Sequence, residues 1–476
     1  MLSTFLFLNL LLTAEKEGTY IRLPGVIHLD TNISDGVLSP EDMIKKVKGA
    51  GLQVAIINDK DNQRVEYGIF PLRNIVKKVV ERGSIQTYGA RAYLERIEAI
   101  AKENPDMVIL PGVEAVPFYY WTGGLFKRDL KLMGFHKHIL VIGLKEASDY
   151  EGIPSVGYNN PVVPGIWCLI NLWPLLLLIV GVWMARYRKA KVIQFSRFKL
   201  TFTQRPFLIP GVLLGIGGVL LVINNFPYCP RLYDEYHGDR GILPYQNLID
   251  YVNKKGGMTF WAHPEARGRF KVGDIELDTQ PYYTDLLKAR DYTGFAVFAE
   301  GMRHTGNPGG MWDKVLMEYL QGKREDPVWA IGELDYKEGN WMGDTQTIFF
   351  VKEKTKDGVL EALRKGRVYA VMGEPKPLLE AFQVWDEMGK RWVEMGETAS
   401  VKEKARIRIK VVLPEAKTMT LRLVRGGEVI KTVRFDGILD DEWEDDLPIQ
   451  TRKAYYRVDI DSRLITNPIF IETTNP

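Results

Sequence analysis

Cysteine is nearly missing from this chain, with only Cys168 and Cys229 among 476 residues. Two cysteines cannot build a disulfide framework, and their wide separation excludes a Cys-x-x-Cys metal or redox motif. Cysteine usage therefore leaves the redox compartment open. Histidine is almost as sparse: His28, His136, His138, His237, His263 and His304 are all there are. No G-x-S-x-G elbow, Walker loop or dinucleotide fingerprint occurs. Charge of one sign is lacking too, since 63 basic and 60 acidic residues leave a net +3. Even that surplus is local. Arg186, Arg188, Lys189, Lys191, Arg197, Lys199 and Arg205 lie in the stretch 185–206 with no acidic residue among them, and without these seven, 56 basic residues face 60 acidic ones. A nucleic-acid binder needs a basic face on a folded domain, so nucleic acid is excluded as a partner. Hydrophobic residues at 46%, charged residues at 26%, 44 Gly and 25 Pro are ordinary globular values. A chain of this length holds about three domains, or one large domain with appendages.

The basic stretch is flanked by the two most apolar runs, Pro164 to Ala185 and Phe207 to Asn224, both uncharged. Each is close to the roughly 20 residues that span a bilayer, and Trp167, Trp173 and Trp183 stand near the ends of the first. These features predict a transmembrane helical hairpin over 161–226. Short loops rich in Lys and Arg stay in the cytoplasm, which places 185–206 inside and the rest of the chain outside, in a multi-pass protein of the cell membrane. Gly211 and Gly215 form a G-x-x-x-G, with Gly217 and Gly218 just after it, a pattern of close helix packing in membranes. Cys168 and Cys229 both fall near the outer end of the hairpin, which leaves a disulfide between them open. The apolar residues 1–14 are short for a span and lack a basic start, so 1–20 reads as an N-terminal anchor or partial span.

On either side of the hairpin, at 21–160 and 227–376, apolar runs alternate with helical patterns. Ser39-Pro40-Glu41-Asp42 opens a helix over 40–50, with Ser39 as cap, Pro40 in the first turn and Asp42 closing a capping box. Leu52 to Ile57 then reads as a buried strand. The unit recurs as helix 91–103 with strand Met107 to Leu110, and as helix 245–255 with strand Gly257 to Trp261. Such alternation predicts a parallel α/β sheet or barrel. From 377 to 476 the texture changes to alternating strands, including Ala405 to Leu413, Thr418 to Arg425, Glu428 to Phe435 and Ala454 to Ile460. Gly426-Gly427 marks a tight hairpin between two of them, and a β-sandwich is expected.

Candidate metal ligands concentrate at strand ends of the α/β part: His28 and Asp30, Glu114, His138, His263 and Asp335. A barrel gathers such ends at one mouth, where catalytic groups normally sit. The stretches G-V-I-H-L-D-T-N-I-S-D-G (25–36), S-P-E-D (39–42), A-I-I-N-D-K-D (55–61), P-G-V-E (111–114), H-I-L-V-I-G (138–143), G-G-M-T-F-W-A-H-P (256–264) and G-E-L-D-Y-K (332–337) resemble, in order, the motifs of the PHP family, the polymerase and histidinol phosphatase domain. E-A-L-R-K-G-R-V-Y-A (361–370) resembles the end of that domain.

The resemblance implies an α/β fold built as a distorted (β/α)7 barrel, here interrupted by the hairpin and followed by the sandwich. It also implies a site for up to three metal ions that hydrolyses phosphate esters or similar bonds. Carried over by position, one metal site keeps His28, Glu114 and Asp335, with Asp30 as a carboxylate in place of imidazole. A second keeps Glu114, His138 and His263. The third has lost histidines to Lys60 and Lys337, and an ammonium cannot coordinate a metal. One or two divalent ions (Zn, Mn or Fe) are thus implied, or none if the domain has kept its fold and dropped its chemistry. The two lysines are expected to converge and to supply charge in place of the third ion, pairing with Asp59, Asp335 or an anionic substrate. His136 reads as a surface neighbour of His138.

Two functions follow. The reduced site combined with an internal anchor favours a non-catalytic or accessory subunit, facing outward and bound to the bilayer and to a protein partner or a second copy. The alternative is a metal-dependent phosphoesterase or related hydrolase, with Glu114, Lys60 and Lys337 as its catalytic residues.

Overall fold

The computed structural model describes residues 20–194, 196–336, 338–415, 417–447 and 452–473. Residues 1–19 of the expected N-terminal anchor, and Lys337, lie outside them. The chain forms two compact units. One comprises the chain up to Gln63, Arg82–Ser155 and everything from Glu235 onward; the other comprises Arg64–Glu81 and Val156–Asp234.

In the larger unit seven strands lie side by side, in the order Ile21–Leu29, Val54–Ile57, Val108–Ala115, Ile139–Ile142, Met258–Trp261, Gly294–Phe298 and Trp329–Gly332. All neighbours pair in parallel except Ile139–Ile142, which is antiparallel to both of its own. The row curls until its ends meet: beyond the last strand, the Leu334 N–H donates to Ile27 O (2.9 Å) and the Tyr336 N–H to His28 O (3.3 Å). Alternate residues along each strand, such as Val54 and Ile56, Val108 and Leu110, Leu140 and Ile142, enter one apolar cluster, as the two-residue period of a strand requires. Helix Lys356–Lys365 contributes Val359, Ala362 and Leu363 to the same cluster.

The expected helix over 40–50 is Pro40–Gly49, capped by Ser39, whose Oγ accepts from the Asp42 N–H (3.1 Å). The capping box is only half formed, because the Asp42 carboxylate takes the Ser39 hydroxyl (3.0 Å) and not the cap's own N–H.

The barrel sheet continues into the C-terminal part. Thr345–Val351 pairs antiparallel with Ile21–Leu29, and the sheet passes through Val368–Met372 and Leu464–Thr466 into Lys453–Ile460, Thr418–Arg425 and Glu428–Asp436. A separate antiparallel sheet, ordered Arg391–Val393, Leu378–Asp386, Lys404–Val412, Ile438–Asp446, shares a core with it. Inward residues Ile407, Ile409 and Val411 of one sheet and Leu421, Leu423 and Val458 of the other fill that core, as in a sandwich. Gly426 and Gly427, with φ of 57° and 92°, make the hairpin turn, which a residue with a Cβ adopts only at a cost.

The smaller unit holds the two apolar helices. Ile166–Arg186, 21 residues with mean hydropathy 2.2, is long and apolar enough to cross a membrane by length and composition; Leu208–Asn224 is apolar but shorter, at 17 residues. The expected hairpin of two full spans is not found: among the described residues only one helix is long and apolar enough to cross. The helices pack through glycine: a Cβ on Gly211 would lie 2.6 Å from Ala185 N, and one on Gly181 would lie 2.6 Å from Gly215 N. Between them, the basic loop folds as a β-hairpin, Lys189–Gln194 against Lys199–Gln204. Cys168 and Cys229 are joined in a disulfide. The unit also takes in the strand pair Arg64–Gly68 and Lys77–Glu81, which the sequence reading leaves in the barrel. Glu66 of that pair is buried and holds Lys77 (2.7 Å), Arg64 and Arg231 (both 3.4 Å).

Candidate metal centre

Strand direction explains how residues far apart in sequence meet. His28, Glu114 and His263 stand at or just past the C-terminal ends of parallel strands, whereas His138 precedes its strand. Because that strand is the reversed one, its beginning lies at the same mouth. At His28 the pairing register with Val54–Ile57 shifts between Ile27 and Leu29, and the residue takes φ 70°. Such a bulge re-aims a side chain. His263 (φ 24°) and Asp335 (φ 43°) are also in the left-handed region, where non-glycine residues cluster at functional sites.

Glu114, His138, His263 and Asp335 line a cavity of about 280 Å³ with Asp30, Asp35, Lys60, His136, Tyr336 and Glu338. Glu114, 1% exposed, is its centre. Its two oxygens serve two groups. Oε1 faces His138 Nδ1 and lies 3.7 Å from His263 Nε2; Oε2 lies 3.3 Å from His28 Nε2 and 2.5 Å from Lys60 Nζ. Two sets of three ligand atoms, from Glu114, His138 and His263 and from His28, Asp30 and Glu114, each fall within 4.8 Å of one another.

The hydrogen bonds around the rings fix which nitrogen of each faces Glu114. His138 Nε2 donates to Phe135 O at 2.9 Å, which turns Nδ1 toward Glu114 Oε1. Tyr282 donates its hydroxyl proton to Ala262 O (2.5 Å), so its oxygen accepts from His263 Nδ1 (3.2 Å) and leaves Nε2 toward Glu114. His28 Nδ1 donates to Glu333 Oε2 (3.0 Å). Fixing the far ring nitrogen in this way is how proteins orient metal-binding histidines. The residues present therefore fit a divalent ion.

Burial and neighbouring charge oppose each other throughout the cavity. Burial opposes charge on Glu114, yet His138, Lys60 and His28 hold its carboxylate well below the usual range. Burial drives the Asp30 carboxyl up to about 8, against the pull of Lys60. It also works against the Lys60 ammonium, but Asp30, Glu114 and Asp35 outweigh it and raise that pKa well above normal. For His28 and His263 the surrounding carboxylates overcome burial and raise the pKa. For His138 burial wins and lowers it.

The structure thus brings His28, Asp30, Lys60, Glu114, His138 and His263 together. Asp335 lines the cavity but belongs to neither ligand set. Lys60 lies 3.1 Å from Asp35 and 3.6 Å from Asp30. Asp59, expected as a lysine partner, instead accepts from the Thr31 N–H (2.7 Å) and from the Ser34 hydroxyl (2.6 Å), pinning the loop after the first strand. The convergence of Lys60 with Lys337 falls outside the described residues. His136 is more than a surface neighbour: half-buried, it lines the cavity, and burial lowers its pKa to about 3. His304 stacks on Tyr283 at 4.7 Å, a packing role.

Sequence reasoning missed Glu333, Asp35 and Tyr282. Glu333 and Asp35 sit inside the motifs Gly-Glu-Leu-Asp and Ser-Asp-Gly and were legible there, while Tyr282 has no motif.

No family model matches the chain, and no curated protein matches it in sequence. Among solved structures it is similar to a two-domain protein from Bacteroides vulgatus described as containing a predicted PHP-like metal-dependent phosphoesterase, at 10% identity and TM-score 0.37, over 97% of this chain and 100% of that one. It is also similar to a putative metal-dependent phosphoesterase from Bifidobacterium adolescentis, at 13% identity and TM-score 0.28, over 66% of this chain and 88% of that one. An amidohydrolase from Chromobacterium violaceum, with bound sulfate and no metal, gives 14% identity and TM-score 0.26, over 66% and 87%.

Proposed function

We propose that this chain is a metal-dependent hydrolase of phosphoester or related ester bonds, anchored to a membrane by its apolar helices. The observation that carries the reading is the convergence of Glu114 Oε1, His138 Nδ1 and His263 Nε2 at the wall of the mouth cavity, with the far nitrogen of each ring held by Phe135 O or Tyr282. A divalent ion held there supplies Lewis acidity and offsets charge that builds on the ester oxygens. Phe135 O and Tyr282 fix the two rings, and Glu333 fixes His28. Asp335 and Glu338 line the opening and set what enters it. The phosphoester class rests on the motif resemblance to the PHP family.

The accessory-subunit reading draws its support from the lost histidines, and the retained, oriented ligand set weighs against it. Membrane attachment draws its support from the apolar side chains that the two helices leave exposed, among them Leu176, Ile179, Trp183, Ile209, Leu213 and Ile216. A face of that kind needs lipid or a protein cover. The second helix, at 17 residues, crosses only a thin bilayer or one extended by its flanks.

The test uses detergent-purified full-length protein loaded with Zn²⁺ or Mn²⁺ and assayed on p-nitrophenyl phosphate, bis-p-nitrophenyl phosphate and p-nitrophenyl acetate. Turnover on at least one, lowered in Glu114→Ala by more than the roughly 10–100-fold that losing an outer-shell partner costs, supports the reading. No turnover on any of the three by the loaded parent, or equal rates in the variant, overturns it.

A further inference from the structure

We infer that this centre holds a single ion, on Glu114, His138 and His263, and that the Lys60 ammonium closes the neighbouring His28–Asp30–Glu114 set to a second. The inference rests on the metal-dependent reading above and adds what this chain's own lysine does to it.

The division of Glu114 is the starting point. Its Oε1 is turned to His138 and His263, and no lysine touches it among the described residues. Its Oε2 is shared between His28 Nε2 at 3.3 Å and Lys60 Nζ at 2.5 Å. Asp30 Oδ2, the remaining carboxylate of the second set, is likewise shared, 3.9 Å from His28 Nε2 and 3.6 Å from Lys60 Nζ. Both carboxylate oxygens that a second ion would use are therefore already within reach of a fixed positive charge. Asp35 holds the same ammonium from a third side at 3.1 Å. Lys60 is itself only 6% exposed, with its ammonium among these three carboxylates.

Its backbone is fixed as well. Lys60 forms a β-bridge with Glu114, and its carbonyl accepts from the Ile85 N–H at 2.9 Å. A cation in this position does part of the work of an ion, neutralising Glu114, and excludes a real one by like-charge repulsion in a buried site. An ammonium has no lone pair to offer a metal, so it does not become a ligand.

Elemental mass spectrometry of the full-length, detergent-purified protein, after loading with excess Mn²⁺ and desalting, reads the stoichiometry directly. Lys60→Met removes the charge at similar length, Lys60→Arg keeps it, and Glu114→Ala removes the centre. The expected result is one ion per chain in the parent and in Lys60→Arg, two in Lys60→Met, and none in Glu114→Ala. Electron paramagnetic resonance gives an independent reading, with an isolated Mn²⁺ signal in the parent and an exchange-coupled pair in Lys60→Met. If Lys60→Met is misfolded by circular dichroism, Lys60→Gln takes its place. Two ions in the parent, or one in the neutral variants, overturn the inference while the metal-dependent reading stands. No ion in the parent overturns both.

Discussion

Glu333 is wholly buried and has two jobs: one oxygen takes His28 Nδ1 at 3.0 Å and the other takes the His263 backbone N–H at 2.5 Å. It thereby sets one ring directly and places the strand end that carries another. Glu333→Gln keeps the shape but replaces a carboxylate acceptor with an amide that must turn a donor toward one of these groups. Calorimetric titration with Zn²⁺ is expected to show about 10–100-fold weaker binding, the usual cost of an outer-shell substitution. Unchanged affinity would mean that Glu333 plays no part in the centre. Asp61 makes a different prediction. Burial raises its carboxyl to about 7, while Oδ1 accepts the Val116 N–H at 3.0 Å. A raised carboxyl pKa means that the folded state prefers the neutral form. Its contribution is full below the unfolded value near 4 and is lost as pH rises through about 7. Asp61→Asn is neutral throughout and keeps the acceptor, so its melting temperature should exceed the parent's above pH 7 and converge with it near pH 4. The ceiling is roughly 4 kcal/mol for about three pKa units. An equal gain at pH 4 and pH 8 would refute this cause. Residues gathered at the cavity and marked by type and motif, such as His28 or Glu114, were readable from sequence. Tyr282 was not, because an orienting hydrogen bond depends on proximity in space and leaves no spacing signal.

At the scale of elements, the strands and helices with a clean period were legible nearly to their ends: Thr418 to Arg425 is exact, and the strand begun at Glu428 runs one residue longer, to Asp436. The strand Ile438–Asp446 was not, since its run of acidic residues reads as a solvated loop. Its partner explains it. Lys404 lies 3.2 Å from Asp446 and Lys410 lies 3.6 Å from Asp440 on the neighbouring strand, and such cross-strand pairs offset the repulsion that the sequence alone displays. The reversed strand Ile139–Ile142 is a similar case, because direction is decided by connections and not by composition. The glycine seam of the two apolar helices can be tested directly. A Cβ at Gly211 would meet backbone at 2.6 Å, whereas one at Gly217 meets nothing within 4 Å. Gly211→Val should therefore part the helices, at a cost of about 1–3 kcal/mol or more, and speed proteolysis of the exposed hairpin Lys189–Gln204. Gly217→Val should leave both stability and proteolysis near the parent's. Equal behaviour of the two variants would show that the helices do not rely on this seam.

For the molecule as a whole, the order of barrel, inserted helices and sandwich followed from changes of sequence texture. That the barrel sheet runs on into the sandwich did not, because the joining strands Thr345–Val351, Val368–Met372 and Leu464–Thr466 belong to both textures. One buried ion pair locks this junction. Arg457, 0% exposed and on a sandwich strand, donates to both oxygens of Asp313 at 2.8 and 2.7 Å, and Asp313 sits on the barrel helix Met311–Leu320. Tyr455 donates to the same carboxylate at 2.6 Å, and so does the Gly309 N–H at 2.7 Å. Arg457→Met removes the cation and strands a buried carboxylate, which costs about 3–5 kcal/mol. In the double variant with Asp313→Asn no charge is stranded, and the amide still accepts from Tyr455 or Gly309, so it should be more stable than Arg457→Met alone. Urea denaturation followed by both tryptophan fluorescence and circular dichroism should give one coincident transition for barrel and sandwich in the parent, moved to lower urea in Arg457→Met and partly restored in the double variant. Two separated transitions in the parent would mean that barrel and sandwich fold independently despite the shared sheet. A double variant no better than the single would mean that packing around Arg457, and not its charge, holds the junction.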